Sequence, residues 1–232
     1  MPVISFASSK GGAGKTTSAI VLATELAQGT DVIVIDADPA ARLARWAAIR
    51  PVEGRIAIQA SAGERAIQDE IAEASRRATF VLIDLEGSAS RLTSFAISES
   101  DLVIVPTGDE QQDAHEAIET LAQIDMESRA RRRAIPAAIL FARTNAAVKS
   151  KLEKHINGEL RQGTVAFRAE LNRRTAFSSL HNAGGGLRQL DLREVNGIDK
   201  AIANAQAFAA EVIDMLEDSL RTEGEGPHAA VA

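Results

Sequence analysis

The segment that most constrains the fold is residues 3–27, VISFASSKGGAGKTTSAIVLATELA. It begins with an apolar, strand-like run, continues through a glycine-rich loop and ends in a stretch typical of a helix. Glycines let successive backbone N–H groups converge on phosphate oxygens, and the helix that follows offers the positive end of its dipole. The segment therefore predicts a strand–loop–helix unit that binds phosphate, which requires a fold containing both strands and helices.

The rest of the chain alternates Val- and Ile-rich runs with longer stretches of helical periodicity. Several runs are apolar throughout, as in strands buried on both faces of a parallel sheet. We therefore predict one doubly wound α/β domain over residues 1–220, with a mostly parallel sheet flanked by helices and ligands beyond the carboxyl ends of the strands. The polar tail at 221–232 is predicted to be disordered. The predicted strands are 3–8, 31–36, 55–60, 80–85, 101–106 and 136–143, and the predicted helices are 15–28, 40–49, 64–77, 90–98, 110–129, 146–161 and a last one from Ile198 to Ser219.

Composition narrows the class of protein. The 232 residues include no cysteine, which excludes disulfides and thiolate metal sites and is compatible with a reducing cytoplasm. No apolar run approaches about 18 residues and the N-terminus lacks a basic leader, so we expect a cytoplasmic protein with no membrane span and no secretory signal. A net charge of −6 gives no general attraction to nucleic acid, so any such binding must come from a local basic patch.

The glycine-rich loop departs from the usual phosphate-loop spacing. Lys15 is expected to contact the β- and γ-phosphates, and the Thr16 hydroxyl to ligate Mg²⁺. A glycine is usual at position 9, whereas here Ser9 is followed by Lys10 and Gly11, which gives the form K-G-G-x-G-K-T-T. The alternatives are a glycine turn that binds nothing and a Lys10 that is merely solvated.

This variant loop resembles that of the deviant Walker A ATPases, the ParA/MinD class. The resemblance implies ATP and Mg²⁺ as cofactors and an ATP-dependent homodimer, in which Lys10 of each subunit reaches the phosphates bound by the other. Such a lysine would link ATP occupancy to association and stabilise charge on the transferred phosphoryl group. The residues that the resemblance assigns to the nucleotide in this loop are Lys10, Gly11, Gly12, Ala13, Gly14, Lys15, Thr16 and Thr17.

Acidic residues end two of the apolar runs, where loops would present them beside the phosphate loop. Asp36 and Asp38 lie in VIVIDADP, and Asp84 lies in FVLIDLEG. The resemblance makes Asp38 the residue that aligns the attacking water, so that the catalytic residues are Lys10, Lys15 and Asp38. It places Asp36 near the metal and makes Asp84 the aspartate that holds Mg²⁺ through water. The alternatives are that Asp36 and Asp84 cap strand ends and that Asp38 forms an Asx-type turn.

The segment after Asp84 differs from the usual pattern of the class. Relatives commonly have proline where this chain has Glu86, and Gly87 would begin the second switch loop. Glu86 could alter the hydrolysis rate or the metal affinity, or it could point outward and do neither.

The adenine-binding residues are less clearly indicated. Pro106 lies in the Pro-Thr pair that closes the fifth strand in the class, and Thr144 and Asn145 occupy the place of its base-reading segment. Their side chains could hydrogen-bond a purine edge. Alternatively, Thr-Asn after a strand is a good helix cap.

The C-terminal third carries a basic region that bears on the choice within the class. Residues 143–174 contain eight Lys or Arg and three Asp or Glu, a net charge of +5 on an otherwise acidic chain. Such a region suits non-specific binding to DNA phosphates, and it resembles short ParA-type partition ATPases and their virulence-region relatives. The alternative is a solvated helix face with ordinary Glu–Lys pairs. The candidate DNA-binding residues are Lys149, Lys151, Arg168, Arg173 and Arg174.

The predicted function is therefore that of a ParA-like ATPase. It would dimerise on ATP, bind double-stranded DNA of any sequence on the nucleoid and hydrolyse ATP slowly, in plasmid or chromosome segregation or cargo positioning. A ParB-like protein would stimulate it. One alternative keeps the fold but replaces DNA by a protein partner, such as a relaxase or a pole-organising factor. Another is a metabolic P-loop ligase or kinase, which would have little use for Lys10.

Overall fold

A computed structural model describes residues 1–145 and 150–224, without the side chains of residues 151–153, 220 and 222–224. Six strands form one sheet in the order β3-β2-β4-β1-β5-β6, and all of its pairings are parallel. Each strand corresponds to a run predicted from the sequence, so the doubly wound α/β fold is confirmed. The strands are β1 (Val3–Phe6), β2 (Val32–Ala37), β3 (Ile56–Ala60), β4 (Phe80–Leu85), β5 (Leu102–Thr107) and β6 (Ala137–Phe141).

The helices include the seven predicted ones and one that was not predicted. The predicted helix at 146–161 is described only from Lys151 onward, because residues 146–149 lie outside the described part of the chain. A helix over Thr175–Ala183 and a 3₁₀ turn at Leu187–Gln189 were not predicted. The helices are α1 (Lys15–Leu26), α2 (Arg42–Ile49), α3 (Ile67–Arg77), α4 (Arg91–Ser98), α5 (Gln111–Arg131), α6 (Lys151–Gly163), α7 (Thr175–Ala183) and α8 (Ile198–Gly224).

The sheet is covered by helices on both faces. Along β1, Ile4 and Phe6 face one apolar cluster, whereas Val3 and the following Ala7 face another. The first cluster includes buried residues of α1, α2, α7 and α8, and the second includes those of α3, α4, α5 and α6. Because both faces are buried, the strands need apolar residues at successive positions, which explains their near-continuous Val and Ile runs.

The carboxyl ends of the strands bring the predicted site residues together. In the register of the sheet, Asp36 on β2 lies opposite Asp84 on β4, and Asp84 lies opposite Phe6 at the end of β1. The glycine-rich loop follows β1 directly. This edge therefore holds the loop and both strand-end aspartates side by side, as ligand sites in open parallel sheets require.

The last helix extends beyond the boundary expected near residue 220. Helix α8 continues to Gly224, and Arg221 lies 3.4 Å from carboxylate oxygens of both Glu217 and Asp218 one turn earlier. Residues 225–232, the rest of the predicted tail, lie outside the described residues. No described helix has the length and apolar character needed to cross a membrane.

Candidate phosphate-binding site

The loop between β1 and α1 has the backbone shape that its glycines predict. Gly12 and Gly14 have φ values of 85° and 104°, a region in which a side chain is strained. Gly14 is the left-handed N-cap of α1, and its carbonyl accepts a hydrogen bond from the Ser18 amide at 2.9 Å. With Gly11 and Ala13, these residues form the turn that brings the chain onto the N-terminus of α1.

The two predicted phosphate and metal residues on α1 are buried at its first turn. Lys15 Nζ donates to Ser8 Oγ at 2.8 Å and to the Lys10 carbonyl at 3.1 Å, so the ammonium group lies across the loop. Burial lowers the pKa of Lys15, while the charge of Asp84 raises it. Thr16 Oγ1 donates to Asp84 Oδ2 at 2.7 Å. The threonine and the aspartate of the predicted metal site are therefore in direct contact, although they are 68 residues apart.

Asp84 is a fully buried carboxylate with unmet bonding capacity. Its pKa is raised to about 7 by burial, with a smaller contribution from the charge of Asp36, although the Thr16 hydrogen bond lowers it. The second oxygen, Oδ1, has no hydrogen-bond partner. A divalent cation would supply both the missing partner and the missing positive charge, so these residues fit a magnesium ion.

The described residues contain no cluster of three or more His, Cys, Asp or Glu side chains suited to a metal. This is compatible with Mg²⁺, which usually keeps several waters and takes one or two protein carboxylates together with substrate phosphates.

Asp36, predicted to lie near the metal, accepts a hydrogen bond from the first turn of α2. Its Oδ2 accepts the Ala44 amide at 2.9 Å and its Oδ1 accepts the Asp38 amide at 3.3 Å. Burial raises the pKa of Asp36, and these amide hydrogen bonds oppose the shift. Asp36 therefore sits beside Asp84 and acts as a helix cap supplied from a strand end.

The Asp38 carboxylate takes part in both a turn and an ion pair. Its Oδ1 accepts the Ala40 amide at 2.8 Å, the Asx-type turn that the sequence left open as an alternative. Its Oδ2 accepts Arg42 Nη1, also at 2.8 Å. The carboxylate predicted to align water is thus held within its own loop.

Lys10 is bound to its own subunit in this structure. Its ammonium group lies 3.3 Å from Asp113 Oδ1 and 3.5 Å from Glu116 Oε1, both on α5. The hydrogen bond and charge of Asp113 raise the pKa of Lys10. The preceding Ser9 amide donates to Thr120 Oγ1 at 3.0 Å, so the start of the loop is fastened to the same helix.

Gly87 lies against this part of the loop. A Cβ at Gly87 would come within 2.7 Å of the Lys10 carbonyl and the Gly11 nitrogen, so only glycine allows this approach. Burial lowers the pKa of Lys15, and the charge of Glu86 is among those that oppose this shift.

A cavity of about 480 Å³ opens beside the start of α1. The residues predicted to contact adenine do not line it. Pro106 is in β5, Thr144 is buried and donates to Glu170 Oε2 at 2.9 Å, and the Asn145 amide donates to Asp109 Oδ2 at 3.3 Å. The described lining comprises Gly14, Thr17, Ser18, Ala142, Arg143, Leu171, Asn172, Arg173, Arg174, Phe177, Ser178 and His181.

The path of the chain after β6 explains this difference. The Arg143 amide donates to the Leu171 carbonyl at 2.7 Å, and the Arg173 amide donates to the Thr144 carbonyl at 2.8 Å. Segment 142–144 is therefore paired with segment 171–173. This pairing buries the Thr144 side chain against the second segment, while residues of that segment reach the cavity.

Two contacts in the site were not predicted. Thr17 Oγ1 is 2.8 Å from His181 Nε2 on α7, and the Arg143 guanidinium donates to the Gly12 carbonyl. Burial lowers the pKa of His181, and the charge of Arg42 lowers it further. No motif marks His181, because 164 residues separate it from Thr17.

The candidate DNA-binding residues are placed differently from one another. Lys149 and the Lys151 side chain lie outside the described residues. Arg168 has an 86% exposed side chain, 3.8 Å from Glu211. Arg173 and Arg174 line the cavity, and Arg174 Nε also donates to Asn204 Oδ1 at 2.9 Å.

Comparisons with known proteins identify the family and the fold of the chain. The sequence matches the VirC1 protein family over residues 1–222. A ParA protein of Rhizobium radiobacter is 38% identical over 223 residues, which span 95% of this chain and 100% of that protein. A putative plasmid partition protein of Borrelia burgdorferi, solved with AMPPNP, has a TM-score of 0.67 at 19% identity, over 90% of this chain and 99% of that one. The septum site-determining protein MinD of Pyrococcus horikoshii, solved with Mg-ADP, has a TM-score of 0.66 at 16% identity, over 94% and 98%. These two structures share the fold.

Proposed function

The chain belongs to the VirC1 family of ParA-type P-loop ATPases, and we propose on this basis that it binds and hydrolyses ATP with Mg²⁺. The contact between Thr16 Oγ1 and Asp84 Oδ2 carries the proposal. A phosphate loop alone could be a turn, but here a buried hydroxyl and a buried, under-bonded carboxylate meet directly behind the phosphate lysine. That combination suits a magnesium-bound nucleotide.

The roles of the site residues follow from their positions. Lys15 and the backbone amides of residues 10–17 bind the phosphates, Thr16 and Asp84 hold the metal, and Asp36 orients the loop beside them. Magnesium, when bound, neutralises charge on the phosphates. The cavity lined by Arg143, Asn172 and His181 receives the nucleoside. The relatives solved with AMPPNP and Mg-ADP support this assignment by analogy of fold.

Dimerisation is proposed to depend on Lys10. In the sandwich arrangement of the class, this ammonium group leaves its own subunit and meets the phosphates bound by the other. A cation that finds its anion only in the assembled dimer makes association depend on the triphosphate. Asp38 is then placed to align the water that attacks the terminal phosphate.

Non-specific DNA binding and a segregation or cargo-positioning role complete the proposal. The net charge of +5 over residues 143–174 supports attraction to DNA phosphates. Arg168, with its highly exposed side chain, is the described residue best placed to make such a contact. A ParB-like protein would be the stimulating partner.

One experiment tests these parts together. ATPase activity and oligomeric state are measured with Mg-ATP, with Mg-ADP and with a non-hydrolysable triphosphate, each with and without duplex DNA of arbitrary sequence. A triphosphate-dependent dimer that retains DNA in low salt, with slow hydrolysis, supports the proposal. A dimer that hydrolyses ATP but ignores DNA would favour the ATP-gated scaffold for a protein partner. A chain that stays monomeric with triphosphate and magnesium would overturn the dimer mechanism.

A further inference from the structure

The first turn of α2 is hydrogen-bonded to the strand end beside the phosphate site. The Asp36 carboxylate accepts the Ala44 amide at 2.9 Å, and Ala41 adopts a left-handed φ of 48° directly before the helix. Because Asp36 lies opposite Asp84 in the sheet, this cap fixes the start of α2 beside the proposed metal residues. The first helical residue, Arg42, is therefore held at the carboxyl edge of the sheet.

The Arg42 side chain turns back toward that edge. Its Nη1 lies 2.8 Å from Asp38 Oδ2, and its side chain remains 50% exposed while that of Asp38 is only 8% exposed. In addition to burial, the positive charge of Arg42 lowers the pKa of both Lys15 and His181, two side chains that contact the phosphate loop. Arg42 is thus a further cation of the same chain, separate from Lys10 and Lys15, which its ion pair with Asp38 holds at the carboxyl edge of the sheet.

A terminal phosphate would be a better partner for this guanidinium than Asp38. It carries more negative charge than a carboxylate and offers three oxygens, of which two can accept the planar fork of an arginine at once. The present contact with Asp38 joins only one nitrogen to one oxygen within hydrogen-bond distance. Half of the Arg42 side chain is open to solvent, so the exchange needs no rearrangement of the core.

We propose that Arg42 is a phosphate-binding residue that exchanges Asp38 for the terminal phosphate of a bound nucleoside triphosphate, and so releases the Asp38 carboxylate toward the attacking water. The inference rests on the proposed function, since it assigns a new residue to the same site. It makes the Asp38–Arg42 pair the resting state of a sensor for the γ-phosphate. A diphosphate lacks that group and leaves the pair closed.

The test is equilibrium binding of a fluorescent non-hydrolysable triphosphate and of fluorescent ADP, each with Mg²⁺. Arg42→Ala should weaken triphosphate binding about 10- to 100-fold, the range of a charge-assisted hydrogen bond, and change ADP affinity less than about threefold. Arg42→Lys should recover part of the loss, because it restores the charge without the fork. Arg45→Ala is the matched control, since Arg45 bonds the Ala40 carbonyl at 2.8 Å and so supports the same loop without touching Asp38.

Each result decides the matter. Selective loss of the triphosphate in Arg42→Ala, with both affinities kept in Arg45→Ala, supports the proposal. Equal loss of both nucleotides in Arg42→Ala, or no loss of either, would overturn it and leave Arg42 as a turn-stabilising residue. If the wild-type chain bound neither nucleotide, the proposed ATPase function itself would fail, which is a different result from a wild type that binds both.

Discussion

Lys10 Nζ lies 3.3 Å from Asp113 Oδ1, so the ammonium group proposed to serve a partner subunit is held by a carboxylate of its own chain. Glu116, one turn further along α5, adds a second carboxylate oxygen at 3.5 Å. The Lys10 side chain is still 38% exposed, and such partly exposed pairs are weak. In the proposed dimer, this contact would therefore compete with the partner's triphosphate for Lys10 without preventing assembly.

The double variant Asp113→Asn with Glu116→Gln should lower the triphosphate concentration needed for dimerisation. Removing the two carboxylates frees the Lys10 ammonium group from a weak, solvent-exposed ion pair, so the half-maximal triphosphate concentration is expected to fall about two- to fivefold. Analytical ultracentrifugation across a titration of non-hydrolysable triphosphate measures the shift.

Two further variants serve as controls for the shift in the dimerisation midpoint. Glu119→Gln, on the same helix but paired with His115, should leave the titration unchanged. Lys10→Ala should fail to dimerise with or without the double substitution, because the ammonium group that the carboxylates restrain is then absent. An unchanged or higher midpoint for the double variant alone would show that α5 does not restrain Lys10.

Gly87→Ala should distort the backbone of the phosphate loop through a steric clash. The new Cβ would meet the Lys10 and Gly11 backbone at 2.7 Å, and neither segment can move away as a flexible side chain would. We expect a loss of about 1–3 kcal/mol in the free energy of unfolding, together with weaker binding of both ATP and ADP. Chemical denaturation and nucleotide titration measure the two effects.

Gly158→Ala is the control for a glycine substitution as such. Gly158 lies inside α6 and has no atom within 4 Å of its added Cβ, so alanine there should raise stability slightly. If Gly87→Ala bound nucleotide as tightly as the wild type, the close approach of the two loops would have no role in binding.

Much of this fold could be predicted because the determinants are local. Val- and Ile-rich runs identify the six strands, and the glycine-rich loop identifies the first helix start. Asp36 and Asp84 could be placed together because carboxyl ends of parallel strands share one edge. The Thr16–Asp84 contact then follows from the phosphate-loop pattern.

The cavity beside the start of α1 could not be predicted in the same way. Thr144 and Asn145 were predicted because they occupy the place of the base-reading segment in the class that the chain resembles, but pairing with residues 171–173 buries Thr144. Helix α7 has only about one turn of buried apolar side chains, Ala176, Phe177 and Leu180, which is too short for a clear helical period. The sequence therefore did not indicate that His181, on this helix, contacts the phosphate loop.

Asp84→Asn should stabilise the metal-free protein and abolish its response to magnesium. The pKa of Asp84 is raised to about 7, so the folded state retains a proton that the unfolded state loses near pH 4. The wild type therefore loses stability as pH rises from about 4 to about 7, whereas the amide does not titrate. The advantage of the variant should grow over that window, reach up to about 4 kcal/mol and stay level above it.

Urea unfolding in EDTA between pH 4 and 8 measures this difference, and Asp31→Asn is the control because that carboxylate is more than half exposed. Mg-ATP should then stabilise the wild type but not Asp84→Asn. A pH-independent difference between the two proteins, or a magnesium response that survives the substitution, would contradict the assignment of Asp84 to the metal.

Neutralising Arg173 and Arg174 should separate DNA binding from nucleotide binding. If these residues contact DNA phosphates, the variants Arg173→Ala and Arg174→Ala will weaken binding to all duplex sequences alike, and each will reduce the salt-dependence slope by about one. Both residues also line the cavity beside Thr17, so fluorescent ADP affinity must be measured in the same variants. Arg168→Ala provides the comparison, since that side chain is exposed and is not part of the cavity lining. Loss of ADP binding with an unchanged salt slope would assign Arg173 and Arg174 to the nucleotide and leave DNA contact to other residues.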